Sequence, residues 1–204
     1  MPDLLFVGDV QGCAQELRDL LATAGFDPGR HRLAFCGDLI NRGPDSVGVL
    51  ELARRMDALA VIGNHEVALL EGRPSPTLDQ VRRQLGSSLE QWIGWLRSLP
   101  TFIRGDGYIL VHAGIVPGKQ PEECTREELT ELRTVNGEPW FHFWHGPEVV
   151  VFGHWAHRGR VDLPYCKGLD TGCVYGGQLT GLWWPRLEWV SVPARRPWFR
   201  RGES

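Results

Sequence analysis

Short apolar runs along the chain end repeatedly in a polar turn built on glycine. Residues 4–7 lead into Gly8-Asp9-Val10-Gln11-Gly12, and residues 33–36 into Gly37-Asp38-Leu39-Ile40-Asn41-Arg42-Gly43. Residues 59–62 lead into Gly63-Asn64-His65-Glu66, residues 108–111 into His112-Ala113-Gly114, and residues 149–152 into Gly153-His154-Trp155. Apolar runs of this length, rich in Val, Ile, Leu and Phe and bounded by glycine, predict buried strands. Helical periodicity fills the intervals. Residues 13–24 space Leu17, Leu20 and Leu21 along one face, residues 45–56 follow Pro44 and do the same with Val49, Leu50 and Ala53, and residues 89–99 carry Trp92, Ile93, Trp95, Leu96 and Leu99 before Pro100. This alternation predicts a layered α/β fold. Beyond His154 the spacing changes. Residues 168–170, 179–183 and 187–192 read as short strands joined by turns at Gly176-Gly177 and Pro185-Arg186. They form either a second sheet or antiparallel additions to the first. Residues 117–146 are the least regular, with a helix predicted over 126–132.

Composition narrows the classes. A chain of 204 residues predicts a single domain over 1–204, and 42% hydrophobic with 23% charged residues is ordinary globular usage. A net charge of −3 gives no support to nucleic-acid binding, and the run Arg195, Arg196, Arg200, Arg201 reads as a solvated tail. No apolar run approaches the roughly 20 residues that span a bilayer, and the start lacks the basic and apolar regions of a signal peptide. The five cysteines form no C-x-x-C pair and read as reduced thiols, which places the protein in the cytoplasm. Seven of the nine tryptophans (Trp140, Trp144, Trp155, Trp183, Trp184, Trp189 and Trp198) fall in the last third.

The polar turns place donor side chains just past the carboxyl ends of predicted strands, where open α/β sheets bind ligands. Any one such turn is an ordinary turn; five in one chain, all carrying donors, are not. Asp9 and Asp38 are carboxylates, Gln11 and Asn64 offer amide oxygens, and His112 and His154 offer imidazole nitrogens. A mixed oxygen and nitrogen set without thiolates suits Mn²⁺, Fe, Zn²⁺ or Mg²⁺ in a reactive site rather than a structural zinc. Six donors exceed one tetrahedral ion and fit two ions sharing a carboxylate, an arrangement suited to displacement at phosphorus.

The ordered set GDVQG, GDLINRG, GNHE, VHAG and FGHW resembles the calcineurin-like metallophosphoesterases, and within them the phosphoprotein-phosphatase superfamily. GDVQGC together with FGHWA and LDTGCVYGGQLTGLWW is most similar to the bacterial symmetrical diadenosine tetraphosphatases. The resemblance implies a four-layer αββα sandwich with two mixed sheets. It implies that Asp9 and Gln11 bind one metal, that Asn64, His112 and His154 bind another, that Asp38 bridges them, and that a water shared by the two ions is the nucleophile. Arg42 would clamp phosphoryl oxygens, His65 would protonate the leaving group, and Arg133 would supply a second guanidinium. The implied partners are phosphorylated small molecules or nucleotides, with serine/threonine phosphoproteins as the alternative.

Two departures bear on chemistry. Gln11 stands where the pattern has His, and an amide oxygen is a weaker, harder donor, favouring Mn²⁺ or Mg²⁺. Asn41 stands where the phosphatases have the Asp that orients the catalytic His, and Asn adds no charge to stabilise a protonated ring. His65 should therefore serve good leaving groups, such as phosphoanhydrides, better than serine alkoxides. The segment between His112 and His154 is short for the subgroup and leaves little chain to cover a nucleoside. Trp140 and Trp144 lie in that segment and are expected at the substrate mouth, whereas Trp155, Trp183 and Trp184 are expected to pack. His142 and His145 are expected at the rim or packed, His157 exposed, and Cys13 and Ser46 outside the chemistry.

Overall fold

In the computed structural model, which describes residues 3–200, the chain runs β1 (Leu4–Val7), α1 (Ala14–Thr23), β2 (Arg32–Phe35), α2 (Ser46–Arg55), β3 (Leu59–Ala60), α3 (Asn64–Leu70), α4 (Pro76–Leu85), α5 (Leu89–Arg97), β4 (Phe102–Arg104), β5 (Tyr108–Val111), α6 (Arg126–Glu131), β6 (Thr134–Val135), β7 (Glu138–Pro139), β8 (Val149–Phe152), β9 (Val161–Leu163), β10 (Cys166–Gly168), β11 (Gln178–Trp184) and β12 (Glu188–Pro193). Two five-stranded mixed sheets form, in the orders β12-β11-β1-β2-β3 and β4-β5-β8-β10-β9. The parallel core of the first is β1-β2-β3, and that of the second is β5-β8-β10.

Successive side chains on a strand face opposite ways, and this alternation assigns the layers. In β1, Leu5 and Val7 join an apolar cluster with Leu17 and Leu20 of α1, Val49 and Leu50 of α2, and Trp92 and Leu96 of α5. Leu4 and Phe6 turn the other way and meet Tyr108, Leu110 and Val151 of the second sheet. In that sheet Ile109, Val111, Val150 and Phe152 face outward against Leu129 of α6, Trp140 and Phe141. The order is helices, sheet, sheet, helix. The last layer is thin, one short helix and the 3₁₀ turn Trp140–Phe143.

The C-terminal strands realise both alternatives. β11 and β12 extend the first sheet antiparallel to β1, while β10 joins the second parallel to β8. Predicted strand 59–62 shrinks to Leu59–Ala60, because the Ile62 N–H leaves the sheet to bond the Pro100 carbonyl. The strand expected at 168–170 lies at Cys166–Gly168, so Leu169 and Asp170 stand beyond its end. α3 begins inside a motif read only as a turn, and α4 starts with Pro76 at its first position, where no N–H partner is needed.

The basic C-terminal run is not a loose solvated tail. The Arg195 guanidinium pairs with Asp19 at 2.7 Å, and its backbone N–H donates to the buried Glu16. Arg201 lies outside the described residues. No helix among the described residues is long and apolar enough to cross a membrane.

Candidate metal centre

The carboxyl ends of β1, β2, β5, β8 and β10 open on the same side, and the turns that follow them meet there. The turn after β1 carries Asp9 and Gln11, that after β2 carries Asp38, Asn41 and Arg42, and α3 starts at Asn64. His112 and His154 follow β5 and β8 directly. All six proposed donors come together, and Asp9, Asp38 and His112 offer ligand atoms within 4.8 Å of one another. Asp9, Gln11, Asp38, His112 and His154 are buried.

The backbone is strained where the donors turn inward. Among the described residues, eight other than glycine have positive φ, and five of them are Gln11, Asp38, Asn41, Arg42 and His154. L-residues in the left-handed region each cost on the order of 1–2 kcal/mol. The cost persists because surrounding bonds fix the turns. Glu66, fully buried, accepts the N–H groups of Asp38, Leu39 and Ile40 at 2.9–3.2 Å and that of Gly63 at 2.9 Å. One carboxylate thus holds the whole Asp38 turn. Close approach matters too, because a Cβ on Gly153 would collide with the Asp9 carboxylate.

The donor atoms are arranged for cations. His112 Nδ1 lies 2.7 Å from the Cys36 carbonyl, an acceptor, so this nitrogen donates and the neutral ring keeps its lone pair on Nε2. That Nε2 faces Asn64 Oδ1 at 3.0 Å and Asp38 Oδ1 at 3.4 Å. His154 Nδ1 approaches the same Asn64 oxygen at 3.1 Å. His112 Nε2, Asn64 Oδ1 and Asp38 Oδ1 bring electron pairs to one point, an environment a cation would complete. On the other side of Asp38, Asp9 lies beside Asp170, and the His154 N–H donates to both Asp9 oxygens at 3.0 and 3.1 Å. Burial, Asp170 and Asp38 push the Asp9 carboxyl well above its ordinary value. Burial, with Asp38 adding to it, pushes Asp170 up to about 6. Burial would raise Asp38 as well, but the His65 and His112 rings draw it down to about 2. Asp9 and Asp170, side by side and resisting ionisation, are short of positive charge.

His65 stands 3.5 Å from Asp38 through Nε2 and 2.7 Å from the Asn41 side-chain nitrogen through Nδ1. Asn41 Oδ1 accepts the Arg42 N–H at 2.9 Å, so the amide NH₂ faces His65 and donates to it. The Asn41 amide thus donates to the ring, the reverse of what a carboxylate at this position would do. The proton of a neutral His65 is therefore on Nε2. Burial lowers the His65 pKa to about 4, with Arg42 assisting against the pull of Asp38.

A cavity of about 500 Å³ opens over these groups, lined by Gln11, Asp38, Arg42, Asn64, His65 and Arg133 among others. Arg133 is exposed but reaches the cavity from the turn after α6. The sequence reading missed several neighbours. Asp170 stands two residues beyond β10 in Leu169-Asp170-Thr171-Gly172, without the glycine that directly precedes Asp9 and Asp38. Glu66, Tyr175 and Phe199 carried no local signal, since their roles depend on tertiary contacts.

The tryptophan expectations are overturned in part. Trp140 is 1% exposed and packs edge-on against Phe152 in the outer core, and Trp144 lines a separate depression with His142 and His145. Trp155 packs on the outer core cluster as expected but, half-buried, also lines the cavity, with the exposed His157 beside it. Ser46 Oγ accepts the Asn41 N–H at 3.2 Å and Cys13 is buried, so both serve structure.

Residues 3–177 match the family model of the calcineurin-like phosphoesterases. The symmetrical bis(5'-nucleosyl)-tetraphosphatase of Edwardsiella ictaluri is 32% identical, over 94% of this chain and 96% of the relative. The enzyme of the same name from Methylococcus capsulatus is 30% identical over 86% and 89%. The first alignment runs over 268 positions, more than the 204 residues here, so that relative carries insertions this chain lacks. Among solved structures, one provisionally assigned as a diadenosine tetraphosphatase superposes with a TM-score of 0.86 at 34% identity, covering 95% of this chain and 94% of that one. A serine/threonine phosphatase from Saccharomyces cerevisiae superposes at 0.60 with 14% identity over 89% of this chain and 72% of that one, a likeness of fold alone.

Proposed function

We propose that this chain, which belongs to the calcineurin-like phosphoesterase family, is a two-cation phosphohydrolase acting on diadenosine tetraphosphate-like nucleotides, with residues 1–204 serving as one catalytic domain in the cytoplasm. The observation that carries this reading is the convergence of Asp9, Gln11, Asp38, Asn64, His112 and His154 around one cavity with Arg42 and His65 beside them. Asp9 and Gln11 would hold one cation, and Asn64, His112 and His154 the other, with Asp38 shared. The donor set suits manganese, with iron, zinc or magnesium as alternatives. When bound, such ions supply Lewis acidity that lowers the pKa of a shared water toward about 7 and offsets phosphoryl charge.

The chain's own groups define the rest. Arg42 presents its guanidinium to the cavity with Nη1 fixed 2.7 Å from the Tyr175 hydroxyl, leaving other N–H groups to hold phosphoryl oxygens in charge-assisted bonds. Arg133 would add positive charge from the turn after α6. His65 holds its proton on Nε2 but remains neutral near pH 7, so it is a weak acid there. Asn41, donating to Nδ1, opposes the doubly protonated ring. Such a site favours substrates whose leaving group departs without protonation, and a phosphoanhydride is one. Replacing Asn41 with Asp gives the ring an acceptor, and Asn41→Asp should raise turnover of an alkyl phosphate relative to an aryl phosphate by about tenfold. An unchanged ratio would remove Asn41 as the source of the preference.

The test of substrate class is a panel of diadenosine tetraphosphate, a phosphoserine peptide and p-nitrophenyl phosphate with Mn²⁺. The dinucleotide should give the highest kcat/KM. Preference for the phosphopeptide would replace this reading with a serine/threonine phosphatase, and inactivity on all three in metal-loaded protein would leave a binding scaffold.

A further inference from the structure

The residues after β12 fold back over the site rather than away from it. The Ala194 N–H bonds the Gly177 carbonyl, and Pro197 packs against Gly176 so closely that a Cβ there would meet it at 3.3 Å. The Trp198 and Phe199 N–H groups both donate to the Val174 carbonyl, at 2.9 and 3.0 Å. Glu16, fully buried in α1, accepts the Arg195 N–H at 3.1 Å and Trp198 Nε1 at 2.8 Å through one oxygen. Both bonds to the buried Oε1 come from the segment itself, which ties its docking to α1, while Glu16 Oε2 has no hydrogen-bond partner among the described residues. The docking sets Phe199 on the cavity wall. The Arg42 guanidinium carbon lies 5.4 Å from the Phe199 ring centre and 5.7 Å from that of Tyr175, whose own ring lies edge-on to Phe199 at 6.2 Å.

We propose that residues 194–199 form a strap whose purpose at the site is to position Arg42, with Phe199 as the positioning residue. This rests on the reading of Arg42 as a phosphoryl-binding group. A flexible side chain that must be ordered at each turnover loses part of its binding energy to that ordering, and an aromatic ring against the guanidinium removes the alternatives in advance. Phe199 and Tyr175 both lie against Arg42 on the wall of the cavity that Asp38 and Asn64 also line.

A double-mutant cycle on p-nitrophenyl phosphate with Mn²⁺ tests this. Phe199→Ala should lower kcat/KM about tenfold, with thermal midpoint and bound metal unchanged. Phe199→Tyr should restore it to within about twofold. In an Arg42→Ala background, Phe199→Ala should cost nothing further, because the two residues act as one unit. A full tenfold loss in that background, or no loss in either, overturns the proposal. A readout independent of turnover separates this from failure of the phosphatase reading. In side-chain ¹⁵N NMR the Arg42 Nε–Hε resonance, assigned by its disappearance in Arg42→Ala, should shift in Phe199→Ala. An unmoved resonance overturns the strap even if the enzyme is active, and a shift supports it even if no substrate is turned over.

Discussion

The same strands end in opposite environments. At the carboxyl ends of β1, β2, β5, β8 and β10, five left-handed L-residues, buried carboxylates and converging histidines crowd one cavity. Tyr108 and Trp184 stand at the other end and meet Phe6, which reaches them between the two sheets, edge-to-face, with ring centres 4.9, 5.7 and 6.4 Å apart, and Trp184 Nε1 donates to the Asp106 carbonyl at 3.2 Å. That end is aromatic packing with the indole N–H bonded. The site end holds strain and charge that the apolar layers beneath it must support. One end is therefore arranged for function at a cost in stability, and the other supplies stability.

Substitutions at the two ends should separate activity from stability. The largest effect is expected for Asp38→Asn, which removes the carboxylate proposed to be shared by two cations. Turnover should fall about 10³-fold, while the far-UV circular dichroism stays native. Phe6→Ala should do the reverse, lowering unfolding free energy by about 3–5 kcal/mol while kcat per folded molecule stays within about twofold. Chemical denaturation and active-site titration measure the two together, and an activity loss in Phe6→Ala beyond its unfolded fraction would blur the division. The tryptophans give a finer version inside the second sheet. Trp155→Ala should raise KM for a dinucleotide several-fold over that for an aryl phosphate, since an aromatic wall contributes about 1–3 kcal/mol per stacked base. Trp140→Ala should change only the thermal midpoint.

A smaller effect lies in acid. Burial keeps His65 neutral in the folded protein down to about 4, with His154 held lower still, near 2, chiefly by burial and by His112. An unfolded histidine takes up its proton near 6.5. The folded state therefore loses stability through these two rings as pH falls from about 6.5 toward 4. Asp170 acts oppositely. Its pKa is raised to about 6, so the folded state takes up that proton before the unfolded one and gains stability between about 6 and 3.8. In metal-free protein, Asp170→Asn should thus raise stability at pH 7 and make its decline toward pH 4.5 steeper than in the wild type. Parallel curves for the two proteins would show that Asp170 does not carry this charge.

Legibility followed the range of the interaction. The donors of the site were readable because each sits just past the stop of a short continuous apolar run, a local signal. The helix–sheet–sheet–helix order followed from the same runs through the family likeness. The Glu66 anchor was not readable, although it lies in a quoted motif, because its partners are backbone groups 26 to 28 residues away. The tryptophans misled because chain position says which segment an indole belongs to, not which face of the sheet that segment covers. Trp140 packs into the outer core against Phe152, and Trp155, next to a donor, faces the cavity. Phe199 was hidden by its setting in a basic tail, whose docking depends on Glu16 far away in α1.

The division between the two ends rests on the donors forming a two-cation centre, and counting bound metal tests that most directly. Isothermal titration of chelator-treated protein with Mn²⁺, checked by elemental analysis, should give two ions per chain in the wild type, one in His112→Ala and two in Phe6→Ala. A wild type that binds no Mn²⁺, or a His112→Ala variant that still binds two, would contradict it.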